Sequence, residues 1–230
     1  MSTRQDYITA IGNLVGGELP LSEAEKIAAI GMAIKEHSRH SPLVVVEDET
    51  GDGGFDYPVT DLESWADGFS AIKQVEYPVY DDDETLYILQ EDAWMMYEKP
   101  AGKYLRFLGD KPPTTESFRV TYTAIHDCTD VACTVKAFDD GAVQALAASF
   151  FCEMLATYYA QMGDSTIAAD SVDHTSKSRD YAARAKTWRG VYFGHLGIKE
   201  GNVRPASVTQ DWDLHASWQA DKLTHPKKYR

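Results

Sequence analysis

The 230-residue chain is 43% hydrophobic and 11% aromatic, enough apolar material for one sizeable core or for a core with a smaller satellite. Disordered chains are poor in aromatic and β-branched residues, so this composition argues against disorder except at the ends. A formal charge of −14 argues against a chain-wide grip on nucleic acid, whose phosphates need Lys and Arg opposite them, while leaving room for a local basic patch.

From Asp6 to His40 the apolar period is helical. Tyr7, Ile8, Ile11, Leu14 and Val15 define a first helix that ends at Gly16-Gly17. Ser22, with Glu25 three residues on, has the spacing of a capping box and opens a second helix. Its predicted apolar face is Ile27, Ile30, Ala33 and Ile34, and Pro42 forbids continuation.

From Leu43 to about Phe138 the pattern changes to short β-branched or aromatic runs: Val44–Val46, Thr85–Leu89, Tyr104–Leu108, Phe118–Tyr122 and Ala132–Val135. Gly-, Pro- and Asp-rich turns such as Gly51-Asp52-Gly53-Gly54 and Lys111-Pro112-Pro113 separate them, an antiparallel signature. Arg119 and Thr121 alternate with Phe118, Val120 and Tyr122, which predicts a strand with one wet face. Acidic residues crowd the region, as in Glu47-Asp48-Glu49 and Asp81-Asp82-Asp83-Glu84.

The helical period returns at Asp139, with Val143, Leu146, Ala147, Phe150, Met154, Leu155 and Tyr158 on one broad stripe and Gly163 as its C-cap. After a linker over 164–173, a last helix starts near Ser176 with Tyr181, Ala182, Ala185, Trp188, Tyr192 and Leu196 on one face. It closes at Gly197-Ile198 in a Schellman-type ending. This helix is basic, carrying Lys177, Arg179, Arg184, Lys186 and Arg189. Beyond Gly201 the chain has little period, two lone tryptophans and a cationic close, which predicts an extended arm that waits for another surface.

The expected fold class is therefore α+β: a helical bundle interrupted by an antiparallel β module, with an extended C-terminal arm. The expected boundaries are 1–41 for the N-terminal helices and 42–138 for the acidic β module, then 139–199 for the C-terminal helical pair and 200–230 for the arm. Three cysteines, Cys128, Cys133 and Cys152, are too few for a disulfide framework, and an odd count fits a reducing compartment. No run approaches the roughly 20 apolar residues of a membrane span, and the polar start from Met1 to Tyr7 shows no secretory signal. The expected place is the cytoplasm of the cell that makes it, away from membranes.

Sites for chemistry are weak. Asp48, Thr50, Asp52 and Gly53 imitate the start of a Ca²⁺ loop, but the twelfth position is Val59 where a bidentate Glu is required. Asp81–Glu84 reads as a wet loop before it reads as a cation site. His126, Cys128 and Cys133 have zinc-ligand chemistry without a CxxC pair, so buried or strand-facing thiols are the better account. There is no nucleophile elbow, phosphate-binding glycine loop or zinc-protease motif, and the seven histidines are scattered at element ends. The chain is expected to be no enzyme and to carry no cofactor.

The distinctive stretch is Leu146-Ala-Ala-Ser-Phe-Phe-Cys-Glu-Met-Leu-Ala-Thr-Tyr-Tyr-Ala-Gln-Met-Gly, then Asp164-Ser-Thr-Ile-Ala-Ala-Asp-Ser-Val172, then Ser176-Lys-Ser-Arg-Asp-Tyr-Ala-Ala-Arg-Ala-Lys186. It resembles the head–tail adaptor (connector) proteins of tailed bacteriophages over roughly 139–196. The resemblance implies a helical-bundle protomer of a dodecameric ring in the virion, at the head–tail interface, docked on the portal protein and facing the stopper and tail. DNA would pass through the channel without specific binding. The partner-binding candidates are Trp212, Trp218, Lys222, Lys227, Lys228 and Arg230 in the arm, with Arg179, Arg184 and Arg189 toward the neighbouring subunit. The alternative reading is a cation-dependent carbohydrate-binding or hydrolytic module built on the acidic β segment.

Overall fold

Helix α1 (Arg4–Val15) opens at a capping box earlier than the apolar period alone suggests: the Thr3 N–H donates to Asp6 at 2.8 Å, and the Asp6 N–H donates to the Thr3 hydroxyl at 3.3 Å. Helix α2 (Glu23–His40) opens as expected, with Glu25 accepting from the Ser22 N–H at 2.9 Å. The computed structural model describes residues 2–16, 20–79, 87–90, 92–109, 113–162 and 174–199. On α2 the buried face is Ala29, Ile30, Ala33, Ile34, His37 and Ser38; Ile27, expected inside, is exposed.

Helix α3 (Asp140–Gln161) is the centre of the bundle, contacted by α1, by α2 and along its length by α4 (His174–Leu196). The expected single stripe is too narrow. Phe150 and Met154 are only partly buried, whereas Ala145, Ala148, Phe151 and Cys152 are buried, because a helix packed on three sides must be apolar nearly all round. Its alanines let the neighbours approach closely. Helix α4 runs antiparallel: the Ser178 hydroxyl reaches the Ala156 carbonyl at 2.9 Å near one end, and His195 meets Asp139 at 2.9 Å at the other. Ala185, Tyr192, Phe193 and Leu196 are its buried residues, and Ala182 is exposed.

The β module is two three-stranded antiparallel sheets. β1 (Leu43–Thr50), β6 (Ser117–Ala124) and β3 (Ile72–Glu76) form one, in the order β1-β6-β3; β2 (Asp56–Pro58), β5 (Gly102–Phe107) and β4 (Trp94–Lys99) form the other, in the order β2-β5-β4. Aromatic rings join them: Phe118 of the first sheet lies 4.6 Å from Tyr57 and 5.2 Å from Phe107 of the second. β6 has the expected alternation, with Phe118, Val120 and Tyr122 buried. On its other face Arg119 bridges Asp48 of β1, at 2.6 and 2.8 Å, and Glu76 of β3 at 3.6 Å.

Three expectations need correction. The predicted strand Ala132–Val135 is a single antiparallel bridge, Cys128 to Cys133, folded by a turn in which the Thr129 N–H donates to the Ala132 carbonyl at 3.0 Å. That turn sets the two cysteines face to face and their sulfurs are bonded, so only Cys152 is a free thiol. Cys128, Cys133 and Val135 also belong to the helical core, which places this stretch with the helices and not with the sheets. Of Thr85–Leu89, only Tyr87, Ile88 and Leu89 fall among the described residues, and Ile88 bridges to Glu76. The C-cap at Gly163 and the arm at 200–230 lie outside the described residues.

Candidate partner interface

Charge is divided between two parts of the body. Residues 42–138 hold 20 of the 36 acidic residues and only seven of the 22 basic ones. Helix α4 carries Lys177, Arg179, Arg184, Lys186 and Arg189 against a single acid, Asp180. Two of the three arginines expected to face a neighbour also bind their own chain. Arg184 donates to the Val15 carbonyl at 2.8 Å, closing the C-terminus of α1. Arg189 pairs with Glu153 at 3.1 Å and lies over the Phe150 ring at 5.1 Å. Arg179 is exposed, with no ion-pair partner among the described residues. Trp212, Trp218, Lys222, Lys227, Lys228 and Arg230 lie outside the described residues.

One pole of the bundle gathers the start of α3, the end of α4 and the loop between β6 and α3. Here Asp140 accepts from the Tyr7 hydroxyl at 2.6 Å and also from Ser2, binding the start of α1 to the start of α3. His195 packs at a tilt against Phe138, ring centroids 4.8 Å apart, while its Nε2 meets Asp139. Phe138 is still 83% exposed, and Val131, on the turn between the bonded cysteines, is 86% exposed. Helix α4 ends here in the expected Schellman arrangement: Gly197 has φ 66°, and the Ile198 N–H donates to the Phe193 carbonyl at 3.2 Å. The last described residues, Ile198 and Lys199, therefore lie at the Phe138 pole.

The histidines are scattered along the sequence, yet three of them converge where the β module meets the bundle. His37 is wholly buried, with Nδ1 3.3 Å from the Tyr192 hydroxyl and its ring 5.3 Å from that of His126. His126 Nε2 donates to the Ser41 carbonyl at 2.9 Å, which fixes its tautomer and leaves Nδ1 to accept from Thr134 at 3.1 Å. His40 contacts Glu36 at 3.2 Å and packs edge-on against Phe193. Burial, helped by the neighbouring His126, pushes His37 down to about 4, and burial also lowers His126. The available signal was the placing of His37 on the same helical face as Ile30 and Ile34.

Of the acidic runs, Asp81–Glu84 lies outside the described residues, while Asp48 and Asp52 are engaged in structure. Asp48 is held below the usual carboxylate range by Arg119, and the Asp52 carboxylate accepts the Gly54 N–H at 2.7 Å within its turn. Among the described residues, no group of three His, Cys, Asp or Glu side chains is arranged to hold a metal ion, and no helix is long and apolar enough to cross a membrane. A cleft of about 340 Å³ in the β module is lined by Trp65, Ser70, Met96, Tyr97, Glu98 and Lys103. No protein-family model matches the chain, and no curated protein matches it.

Proposed function

We propose that this protein is a structural component of a tailed-phage virion, a head–tail adaptor. In this reading its copies close into a ring on the portal and extend the DNA channel toward stopper and tail. The observation that carries the reading is the place of the resembling segment. Its two helices, α3 and α4, are the most extensively packed pair of the bundle, and α1 and α2 pack on α3 despite the inserted β module. Complementary flanks add to it. A ring needs head-to-tail contacts that close, and one chain here offers an acidic module and a basic helix. Acidic residues toward the channel repel DNA phosphates and let the duplex slide without specific binding. The role is mechanical, not catalytic.

Portal and major-capsid genes immediately upstream are the expected gene context; a metabolic operon there would overturn the proposal. With the upstream portal protein in hand, the mixture should form stacked rings visible by electron microscopy. Removing residues beyond Gly201 should abolish docking without melting the helices.

A second reading draws on the Trp65–Tyr97 cleft, whose aromatic walls and Glu98 carboxylate suit a saccharide. Cation-dependent sugar binding that Glu98→Gln removes and that survives loss of the arm would favour it over the adaptor.

A further inference from the structure

We infer that the β6–α3 pole is the socket for the C-terminal arm of a second copy of this chain, with Phe138 and Val131 receiving Trp212 and Trp218. This deepens the ring reading and rests on it. Phe138 and Val131 are the two most exposed large hydrophobic residues among those described, at 83% and 86%, and both lie on the loop between β6 and α3. Each is held out by its surroundings: Phe138 by the His195 ring behind it, Val131 by the turn closed between Cys128 and Cys133. An apolar side chain presented to solvent on a fixed support is an anchor site for an aromatic partner.

The length of chain beyond the body selects the donor. The described chain ends at Lys199, just past the end of α4 at this same pole, and Trp212 follows Lys199 by 13 residues. Extended, that stretch covers about 43 Å. A body of this size has a radius of gyration of about 16 Å and so a diameter of about 40 Å. Equivalent points on touching neighbours are one diameter apart, so an extended arm carries Trp212 from one pole to the next. The charges agree in sign: the receiving loop carries Asp127 and Asp130, the latter paired with Arg4 at 2.7 Å, against the single cation Lys136, while Lys222, Lys227, Lys228 and Arg230 close the arm. The contact is heterologous, arm to pole, and repeating it around an axis closes a ring.

Sedimentation velocity on the full-length protein, up to about 1 mM so that weak contacts register, tests this without any portal. The wild-type chain should self-associate with rising concentration. Phe138→Asp, which keeps its arm, and Trp212→Ala/Trp218→Ala, which keeps its pole, should each stay monomeric. Mixed one to one, they should form a heterodimer and stop there, since one good arm meets one good pole. Val131→Asp, a second surface change, should weaken association at least tenfold. Wild-type protein that stays monomeric throughout, either variant associating like wild type, or a mixture without heterodimer would each overturn the inference. A tryptophan emission shift caused by Phe138→Asp in dilute monomer would assign the arm to its own body and overturn it too. Self-association with no portal binding would sink the adaptor reading alone.

Discussion

The bundle and the β module are stabilised by different chemistry. The bundle core is largely aliphatic and alanine-rich, with the rings of Tyr7, Phe151, Tyr192 and Phe193 set among it and α3 surrounded by three other helices, and polar groups enter it mainly at its ends, as where Asp140 receives Tyr7. The module core is a chain of rings from Tyr57 through Phe118 and Phe107 to Tyr77, between two small sheets, with an ion ladder on one outer face. The two cores share no residue, and the described link between them runs through the ends of α2 and β6 and the His37–His126 contact. Separate cores with a narrow seam favour two cooperative units over one.

That division makes the largest prediction. Phe151→Ala and Phe118→Ala, each removing a ring that is at most 1% exposed, should cost about 3–5 kcal/mol apiece. In calorimetry, Phe151→Ala should lower one transition and Phe118→Ala the other. If either substitution moves the whole endotherm together, the two regions fold as one.

The seam itself should respond to pH. His37 titrates at about 4 in the folded protein and at 6.5 in an unfolded chain. As pH falls below 6.5 the unfolded state takes up the proton first, so stability is fully present above 6.5, declines toward 4 and levels off below. His126, also lowered, acts in the same direction. The loss from His37 is about 3 kcal/mol over that window. Chemical denaturation at stepped pH reads it directly, and His37→Phe should flatten the profile between 6.5 and 4. An unchanged slope in that variant would remove His37 from the seam's energetics.

How much of this was legible in the sequence follows from the same contrast. The helices announced themselves through long apolar periods and local caps, signals contained within a few residues, as with Ser22 and Glu25. β1, β5 and β6 showed β-branched or aromatic alternation, but β2 is only Asp56–Pro58 and β4, Trp94–Lys99, has no β-branched residue, so neither carries a strand period. Ala132–Val135 looked like a strand because strand-forming residues also suit a bridged turn packed on helices. His37 and His126 come together only through tertiary folding, which no local pattern records. For the interface, α4's basic character was visible, whereas the in-chain partners of Arg184 and Arg189, a carbonyl of α1 and a carboxylate of α3, depend on how the helices pack.

Two smaller effects sharpen the picture of the module. A Cβ at Gly51 would lie 2.5 Å from the Pro113 backbone, in a turn where the Gly53 N–H donates to the Pro113 carbonyl at 2.8 Å. Backbone cannot yield as a side-chain tip does, so Gly51→Ala should cost about 2 kcal/mol, read as a drop in the module's transition alone. The ion ladder should matter least. Asp48 is nearly half exposed, and ion pairs at the surface contribute at most about 1 kcal/mol, screened by salt. Asp48→Asn should therefore lower the same transition by a degree or two in dilute buffer and by less in 1 M salt. A larger, salt-insensitive loss would mean that the bidentate Asp48–Arg119 pair orders β1 against β6 in a way the eight paired residues of that ladder do not achieve by themselves.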